Sequence, residues 1–225
     1  MTNSCPSSSS SSKFLRRIDD ENEGRGRARW TSPGLRLIQL RFLLCSCLLG
    51  LLTACGGAGE NYYRLNPTAA APTGGSGSGL GVSVGPVSLP TYIDRAEVVF
   101  ASGPNEFQIP SNALWVGSLQ ENISRTVATD LGRILGSRNV RAGIEAGFRP
   151  RYRVALDIRQ FHGISGREAI LDLSWRIQSG ASGETISRHS DSFHQPIIGD
   201  GYGPLVEAES RLLEQVATAI AKSLR

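Results

Sequence analysis

Residues 152–161, Tyr-Arg-Val-Ala-Leu-Asp-Ile-Arg-Gln-Phe, and residues 170–178, Ile-Leu-Asp-Leu-Ser-Trp-Arg-Ile-Gln, decide the fold because both alternate apolar and polar side chains. Successive side chains of a β-strand point to opposite faces, so this pattern predicts two strands with one buried face and one polar face. The apolar set is Tyr152, Val154, Leu156, Ile158, Leu171, Leu173, Trp175 and Ile177. The polar set, which would remain in water or meet a partner, is Arg153, Asp157, Arg159, Asp172 and Arg176.

The connection between these two strands is short enough for a hairpin. It contains Gly163 and Gly166, and His162 is predicted to be a turn residue at its start. Residues 185–194 predict a third strand of the same meander.

Two amphipathic helices accompany the strands. The first is predicted to begin between Asn112 and Ser118, where Ser118 and Glu121 have the spacing of a capping box, and to end before Gly136. Its apolar stripe is Leu119, Ile123, Val127, Leu131 and Ile134. The second is predicted to open at Gly203-Pro204, with proline at the first helical position. Its stripe is Leu205, Ala208, Leu212, Val216 and Ile220.

Shorter strands are predicted before the first helix, over residues 61–65, 82–89, 96–101 and 106–109. Residues 66–81, rich in Pro, Thr, Ala, Gly and Ser, are predicted to form a flexible loop that does not pack. One-sided helices and one-sided strands together predict an α/β (α+β) fold, a two-layer sandwich. In it, two long amphipathic helices cover one face of a mixed, mainly antiparallel sheet.

The N-terminal part has the pattern of an export signal. Residues 42–54 carry no charge and follow Arg36 and Arg41, and these 13 residues are fewer than the roughly 20 that a membrane-spanning helix needs. The end of the run, Leu52-Thr53-Ala54-Cys55, resembles the lipobox of bacterial lipoproteins, in which the cysteine is acylated and begins the mature chain. A non-lipidated signal peptide and a short buried helix are the alternatives. Arg16-Arg17 resembles a twin-arginine signal but lacks the apolar residues that should follow it.

Residues 1–54 are therefore predicted to be a disordered extension plus a lipoprotein signal peptide, and residues 55–61 a lipidated tether. The leader contains eight Lys/Arg and four Asp/Glu, whereas residues 55–225 contain sixteen of each. The mature chain is neutral overall, so its charge balance does not support nucleic-acid binding. The cysteines upstream of Cys55 are Cys5, Cys45 and Cys47. An acylated Cys55 forms no disulfide, so the fold must depend on its apolar core.

No set of residues in the sequence predicts catalysis. In an extended strand His189 and Asp191 point to one face and Ser192 to the other, so they do not form a hydrolase triad. Asp157 and Asp172 lie among arginines, and cross-strand ion pairs explain them more simply than acid–base chemistry does. We expect no enzymatic activity, no cofactor and no metal.

Several segments follow the lipobox in a recognisable order. They are Tyr62-Tyr63-Arg64-Leu65, the run Val84-Gly85-Pro86-Val87-Ser88-Leu89-Pro90-Thr91-Tyr92-Ile93-Asp94-Arg95, Trp115 with Leu119, and Tyr152-Arg153-Val154. Together they resemble the PqiC/YmbA-type family, the ABC-type transport auxiliary lipoproteins, over residues 52–225. The central run is close to the family's Gly-Pro-Val-x-Leu-Pro-x-Tyr-Leu-Asp-Arg. The chain departs from the family at residues 96–99, where Pro-Gln-Ile-Val is usual, and at residues 116–118, where Ala-Glu-Pro is more usual.

The resemblance implies a single periplasmic auxiliary lipoprotein domain over residues 62–225. It implies a non-catalytic subunit of an MCE/ABC-type intermembrane lipid transport system that tethers or organises the MCE-domain substrate-binding protein. Homo-oligomerisation is left open. Gly56 follows the acylated cysteine at a position where aspartate often signals inner-membrane retention. We therefore expect anchoring in the outer membrane of a Gram-negative bacterium, facing the periplasm.

The turn in the central run is predicted to contribute to a partner-binding or self-assembly surface. The residues proposed for it are Leu89, Pro90, Tyr92, Asp94 and Arg95. The alternative is structural: Tyr92 and Ile93 would cap the core, and Asp94 and Arg95 would form a local ion pair. A cell-envelope assembly lipoprotein unrelated to lipid transport is the alternative function, and an envelope hydrolase is disfavoured by the missing site.

Overall fold

The computed structural model describes residues 41, 59–70 and 79–224. Gly57–Arg225 form one compact unit, to which the following description applies. Its strands are β1 (Asn61–Tyr63), β2 (Val82–Ser88), β3 (Phe100–Gly103), β4 (Glu106–Gln108), β5 (Ala113–Trp115), β6 (Val140–Ala142), β7 (Tyr152–Ile164), β8 (Glu168–Ser179) and β9 (Thr185–Pro196). Its helices are α1 (Leu119–Leu135) and α2 (Tyr202–Ser223).

Strand β7 is the centre of the larger sheet. Strand β8 pairs with it antiparallel along its whole length, from Tyr152 opposite Ser179 to Ile164 opposite Glu168. The other edge of β7 is shared, because β2 pairs with its first half and β3 with its last residues, both in parallel. Strand β9 continues the sheet beyond β8, β6 beyond β2 and β4 beyond β3. The result is an open, mixed, seven-stranded sheet that contains the predicted hairpin and meander.

Both helices pack on one face of this sheet, as predicted. Helix α1 contacts β2 and β6, whereas α2 contacts β7, β8 and β9. The predicted stripes face the sheet, and their fully buried members, each 0% exposed, are Ile123, Val127, Leu131, Leu212, Val216 and Ile220. Leu171 and Val154 on the strands are also 0% exposed. Apolar burial of about 25 cal/mol per Å² holds the layers together, and the α+β two-layer sandwich is confirmed.

Helix α2 approaches strand β7 closely at Gly163. A Cβ at this position would collide with Leu205 Cδ1, so glycine allows the first turn of α2 to rest on the strand. The prediction that His162 and Gly163 lie in a turn is wrong, because β7 continues through both residues to Ile164. The turn follows at Gly166, whose φ of 66° favours glycine.

The N-terminus of helix α1 lies where it was predicted, but the hydrogen bonds that cap it differ from the prediction. Ser118 is the N-cap residue, but its side chain makes no capping hydrogen bond, so the predicted capping box with Glu121 is not formed. Instead, Asn122 Nδ2 donates to the Val116 carbonyl at 2.8 Å and to the Ser118 carbonyl at 3.0 Å. The predicted C-terminal glycine is confirmed, since Gly136 has a left-handed φ of 61°.

The starts of helix α2 and of strand β3 also differ from the predicted ones. Helix α2 begins at Tyr202, so Pro204 is its third residue, where the missing N–H still lies outside the intrahelical ladder. The strand predicted over residues 96–101 begins only at Phe100. Glu97 instead forms a single antiparallel bridge to Leu114, beside the small parallel sheet of β1 and β5.

The beginning of the predicted loop 66–81 is packed against the helices, so that part of the prediction is wrong. Ala69 is 5% exposed, and its N–H donates to Asp130 Oδ1 at 2.9 Å. Arg133, one turn further along α1, donates from Nη1 to the Ala69 carbonyl at 3.0 Å. On α2, Ser210 Oγ accepts the Asn66 N–H at 3.2 Å. Residues 65–69 therefore form a strap held by both helices.

The strap also explains a buried carboxylate on α1. Asp130 is 0% exposed, and burial raises its pKa, while the N–H groups of Ala69 and Thr68 lower it. The composition of this segment alone predicts a flexible loop. The groups that hold the strap lie on α1 and α2, far away in the sequence, so the composition does not reveal them. Residues 71–78 of the predicted loop lie outside the described residues.

Helix α2 buries a second acidic residue, Glu209, on its otherwise apolar side. Its side chain is 1% exposed, and its Oε2 atom has no hydrogen-bond partner among the described residues. Burial alone raises its pKa from an ordinary value of 4.5 to about 8. Glu209 is therefore protonated in the folded domain at neutral pH, whereas it is ionised in the unfolded chain.

This difference predicts how stability depends on pH. The folded state keeps a proton that the unfolded state releases above pH 4.5, so the free energy of unfolding should fall as pH rises toward 8. Replacing Glu209→Gln removes the ionisable group, and we expect it to stabilise the domain by about 3 kcal/mol near pH 7. Urea unfolding between about pH 5 and 8 measures both quantities.

Glu207→Gln is the matched control, because Glu207 lies on the same helix with its side chain 62% exposed. It should leave the pH dependence of wild-type stability unchanged. A wild-type free energy of unfolding that stays flat over this pH interval would contradict a neutral, buried Glu209.

Candidate functional site

The residues predicted to bind a partner lie in the turn that follows β2. The N–H groups of Ile93 and Asp94 both donate to the Pro90 carbonyl, at 3.1 and 3.2 Å, so the chain makes one tight helical turn here. Ile93 is 1% exposed, and Leu89 packs partly against the same core. These apolar residues fix the turn to the domain, while Asp94 and Arg95 are exposed.

Tyr92 belongs to an aromatic cluster with Phe107 and His162, on the face of the sheet opposite the helices. The ring centroids of Tyr92 and Phe107 lie 5.1 Å apart, and those of Phe107 and His162 also 5.1 Å. Tyr92 Oη lies 3.2 Å from His162 Nδ1. Burial lowers the pKa of His162 and raises that of Tyr92, which favours the neutral forms of both. Tyr92 thus has a structural role in this cluster.

Asp94 and Arg95 do not pair with each other. Arg95 Nε contacts Glu97 Oε2 at 2.9 Å, and Gln120 Nε2 donates to Asp94 Oδ2 at 3.2 Å. The predicted local ion pair between Asp94 and Arg95 is therefore wrong. Both charged residues are exposed, whereas Leu89, Pro90 and Tyr92 are half-buried, so Asp94 and Arg95 are the most accessible members of the predicted set.

The predicted cross-strand ion pair of Asp172 is confirmed. Ile158 pairs with Leu173, and the next register pair is Gln160 with Asp172, so Arg159 is the extra residue of a bulge. Arg159 Nε donates to Asp172 Oδ2 at 3.0 Å, and this hydrogen bond holds the pKa of Asp172 below its usual range. Asp172 is thus an ionised structural carboxylate.

His189, one of the two histidines on β9, also has a structural environment. His189 stacks on Trp175 with centroids 5.2 Å apart, and its Nε2 lies 3.0 Å from Ser187 Oγ. Asp191 Oδ1 accepts the N–H of Ser192, so these side chains do not converge on a shared reacting centre. Within residues 59–70 and 79–224, no group of three or more His, Cys, Asp or Glu side chains could hold a metal ion.

An open groove of about 680 Å³ lies between β9 and the C-terminal half of α2. Trp175 and Phe193 contribute to its apolar part, and its charged residues are Asp191, Arg211, Glu214 and Lys222. The groove is not predictable from local periodicity, because residues of three separate elements, β8, β9 and α2, line it.

Cys55, the predicted lipidation site, lies outside the described residues. Within the part of the chain that is described, no helix has both the length and the hydropathy of a membrane span.

Two crystal structures share this α+β sandwich. One, of an uncharacterized protein, has a TM-score of 0.62 and 20% sequence identity, covering 75% of this chain and 100% of the other. The second, XCC0632 from Xanthomonas campestris, a DUF330 protein, has a TM-score of 0.58 and 16% identity. The match covers 72% of this chain and 93% of the XCC0632 chain. At these identities the likeness concerns the fold alone, and no curated protein matches the sequence.

The family follows from the sequence profile that matches residues 63–221, almost the whole of the folded unit. That profile describes the ABC-type transport auxiliary lipoprotein component. The chain belongs to this family, which confirms the resemblance noted from its motifs. The family is one of transport accessories, and the strand and turn of the central run lie within the matched range.

The different environments of Tyr92 and Arg95 predict different effects of substitution. Tyr92→Ala removes a ring from the aromatic cluster and should lower the free energy of unfolding by about 2 kcal/mol. Arg95→Ala breaks one exposed ion pair and should change the free energy of unfolding by less than about 0.5 kcal/mol. Chemical denaturation of both variants measures these differences.

Tyr92→Phe is the control that keeps the ring and removes only the hydroxyl facing His162. It should lose much less stability than Tyr92→Ala. Equal, negligible losses for Tyr92→Ala and Arg95→Ala would show that Tyr92 does not pack in the cluster.

Proposed function

We propose that this chain is a non-catalytic, lipid-anchored subunit of an MCE/ABC-type intermembrane lipid transport system. In this role it tethers or organises the MCE-domain substrate-binding protein in the periplasm. The observation that carries the proposal is the match of residues 63–221 to the transport auxiliary lipoprotein family. Acylated Cys55 is the proposed anchor, and Gly56 beside it supports the outer membrane as its location.

The geometry at the start of the described domain supports a tethering role. Five residues separate Cys55 from β1, and they span at most about 20 Å. Strand β1 is itself held firmly, since Asn61 N–H donates to the Asn112 carbonyl at 2.8 Å. The ring of Tyr63 lies 6.0 Å from that of Tyr202 at the start of α2. A lipid on Cys55 would thus keep this end of the domain close to the membrane.

Tethering is a sufficient physical mechanism for such a subunit. Holding a partner near the membrane raises its effective concentration there without any further contact and without chemistry. The exposed Asp94 and Arg95, fixed on a rigid turn, are proposed to contribute to the partner surface.

The anchoring step has a direct test. Cys55→Ala removes the acylated thiol, so we expect the protein to leave the membrane fraction during carbonate washing. The wild type should remain in the outer-membrane fraction. Immunoblotting of separated membrane and soluble fractions measures the distribution.

Cys47→Ala is the matched control, because it removes a cysteine of the same apolar run upstream of the lipobox. It should not change the distribution. Retention of the Cys55→Ala protein in washed membranes would overturn the anchoring proposal.

The partner is tested by affinity purification of the C-terminally tagged protein from detergent-solubilised native membranes, followed by mass spectrometry. Enrichment of an MCE-domain protein and its membrane partners is the expected result. Enrichment of outer-membrane assembly or cell-wall proteins without any MCE-domain protein would assign the chain to envelope assembly instead.

A further inference from the structure

The charges of the neutral mature chain are distributed unevenly. Residues 138–153 and 176–188 together contain seven arginines and two glutamates. The rest of residues 55–225 contains nine Lys/Arg and fourteen Asp/Glu. The seven residues, called here the arginine end, are Arg138, Arg141, Arg149, Arg151, Arg153, Arg176 and Arg188. All seven are exposed.

Strand pairing brings four of these residues together at one end of the sheet. Ser83 of β2 pairs with Arg141 on one side and with Arg153 on the other. On the next row, Arg176 of β8 is directly opposite Arg188 of β9. Residues paired across strands share a face, so the charges of distant segments are concentrated on one surface.

The arginine end contains more positive charge than its own carboxylates neutralise. Arg141 Nε lies 3.3 Å from Glu145 Oε2, so these two residues form an ion pair. Asp157 lines the same pocket as Arg176 and Arg188, but no ion pair of Arg153, Arg176 or Arg188 is present among the described residues. Two like charges directly opposite in a sheet are destabilising, so Arg176 and Arg188 cost the isolated domain free energy. A bound carboxylate would remove this repulsion and form strong, bidentate hydrogen bonds with the guanidinium groups.

The arginine end is far from the point where the tether enters the domain. The rings of Tyr63 and Phe100 both contact Tyr202, and Phe100 pairs with Gly163 near the end of β7. Arg153 lies at the beginning of β7. At about 3.3 Å per residue, strand β7 separates the two ends by about 30 Å.

We propose that the arginine end is a docking surface for an acidic surface of the periplasmic partner protein. The charge of the site requires an anionic occupant, and its distance from the tether disfavours the headgroups of the anchoring membrane. A second copy on the same membrane would present its own arginine end at the same height, where like charges repel. The identity of the partner rests on the proposed function, whereas the acidic chemistry rests on the arginine end alone.

The test uses the full-length lipidated protein in detergent and two triple variants with equal changes in charge. The first carries Arg153→Glu, Arg176→Glu and Arg188→Glu. The control carries Arg64→Glu, Arg125→Glu and Arg167→Glu, three exposed arginines outside the arginine end. Melting temperatures are compared first, and both variants should remain folded, because all six side chains are exposed.

Binding is measured to two probes, a synthetic hexaglutamate peptide and the copurifying MCE-domain protein. The first variant should lose affinity for both by about tenfold or more, and the control by less than about twofold. Binding by the wild type should also weaken when the salt concentration is raised from about 50 to 300 mM.

Three results would overturn the inference: no binding of the peptide to the wild type, equal losses in both variants, or unchanged binding in the first variant. Arginine-dependent binding to phosphatidylglycerol vesicles, with none to peptide or protein, would also overturn it and assign the site to lipid headgroups. If peptide binding depends on the arginines but no MCE-domain protein is ever recovered, the acidic docking surface stands and the proposed function fails.

Discussion

The pairing of strand β7 is the constraint on which the rest of the domain depends. One edge of β7 is occupied throughout by β8, and the other is divided between β2 and β3. This single strand therefore joins the two halves of the sheet, and one of its faces contacts helix α2. Leu205 of α2 approaches β7 closely at Gly163, and the strap joins α2 to α1.

The length of β7 also gives the domain two chemically different ends. At one end, β1, β3 and the start of α2 lie beside the aromatic cluster, where the proposed tether would enter the domain. At the other end, the arginines are concentrated on a surface without enough carboxylates to neutralise them. Among the described residues, the side chains tested for catalysis do not converge, and the proposed role needs only a charged surface held at a distance from the anchor proposed at Cys55. Membership of the transport auxiliary lipoprotein family is consistent with such a role.

The sequence predicted those features that depend on local periodicity. The alternation in β7 and β8 and the stripes of α1 and α2 identified the layers, and the central motif identified the family. Features produced by contacts between distant segments were not predictable in this way. His162 looked like a turn residue because Tyr92 and Phe107, which bury it, are far away in sequence. The strap looked flexible because its partners lie on the helices, and the neutral charge total concealed the arginine end.

The proposed position of the arginine end, far from the membrane, can be tested by measuring the orientation of the lipidated domain. A fluorophore is attached through cysteine at Ser182, in the hairpin at the arginine end, or at Asn105, in the turn between β3 and β4. Energy transfer to labelled headgroups is then measured with the lipidated protein in vesicles. We expect position 182 to lie about 25–30 Å farther from the headgroups than position 105. Equal distances, or a shorter distance for position 182, would contradict it.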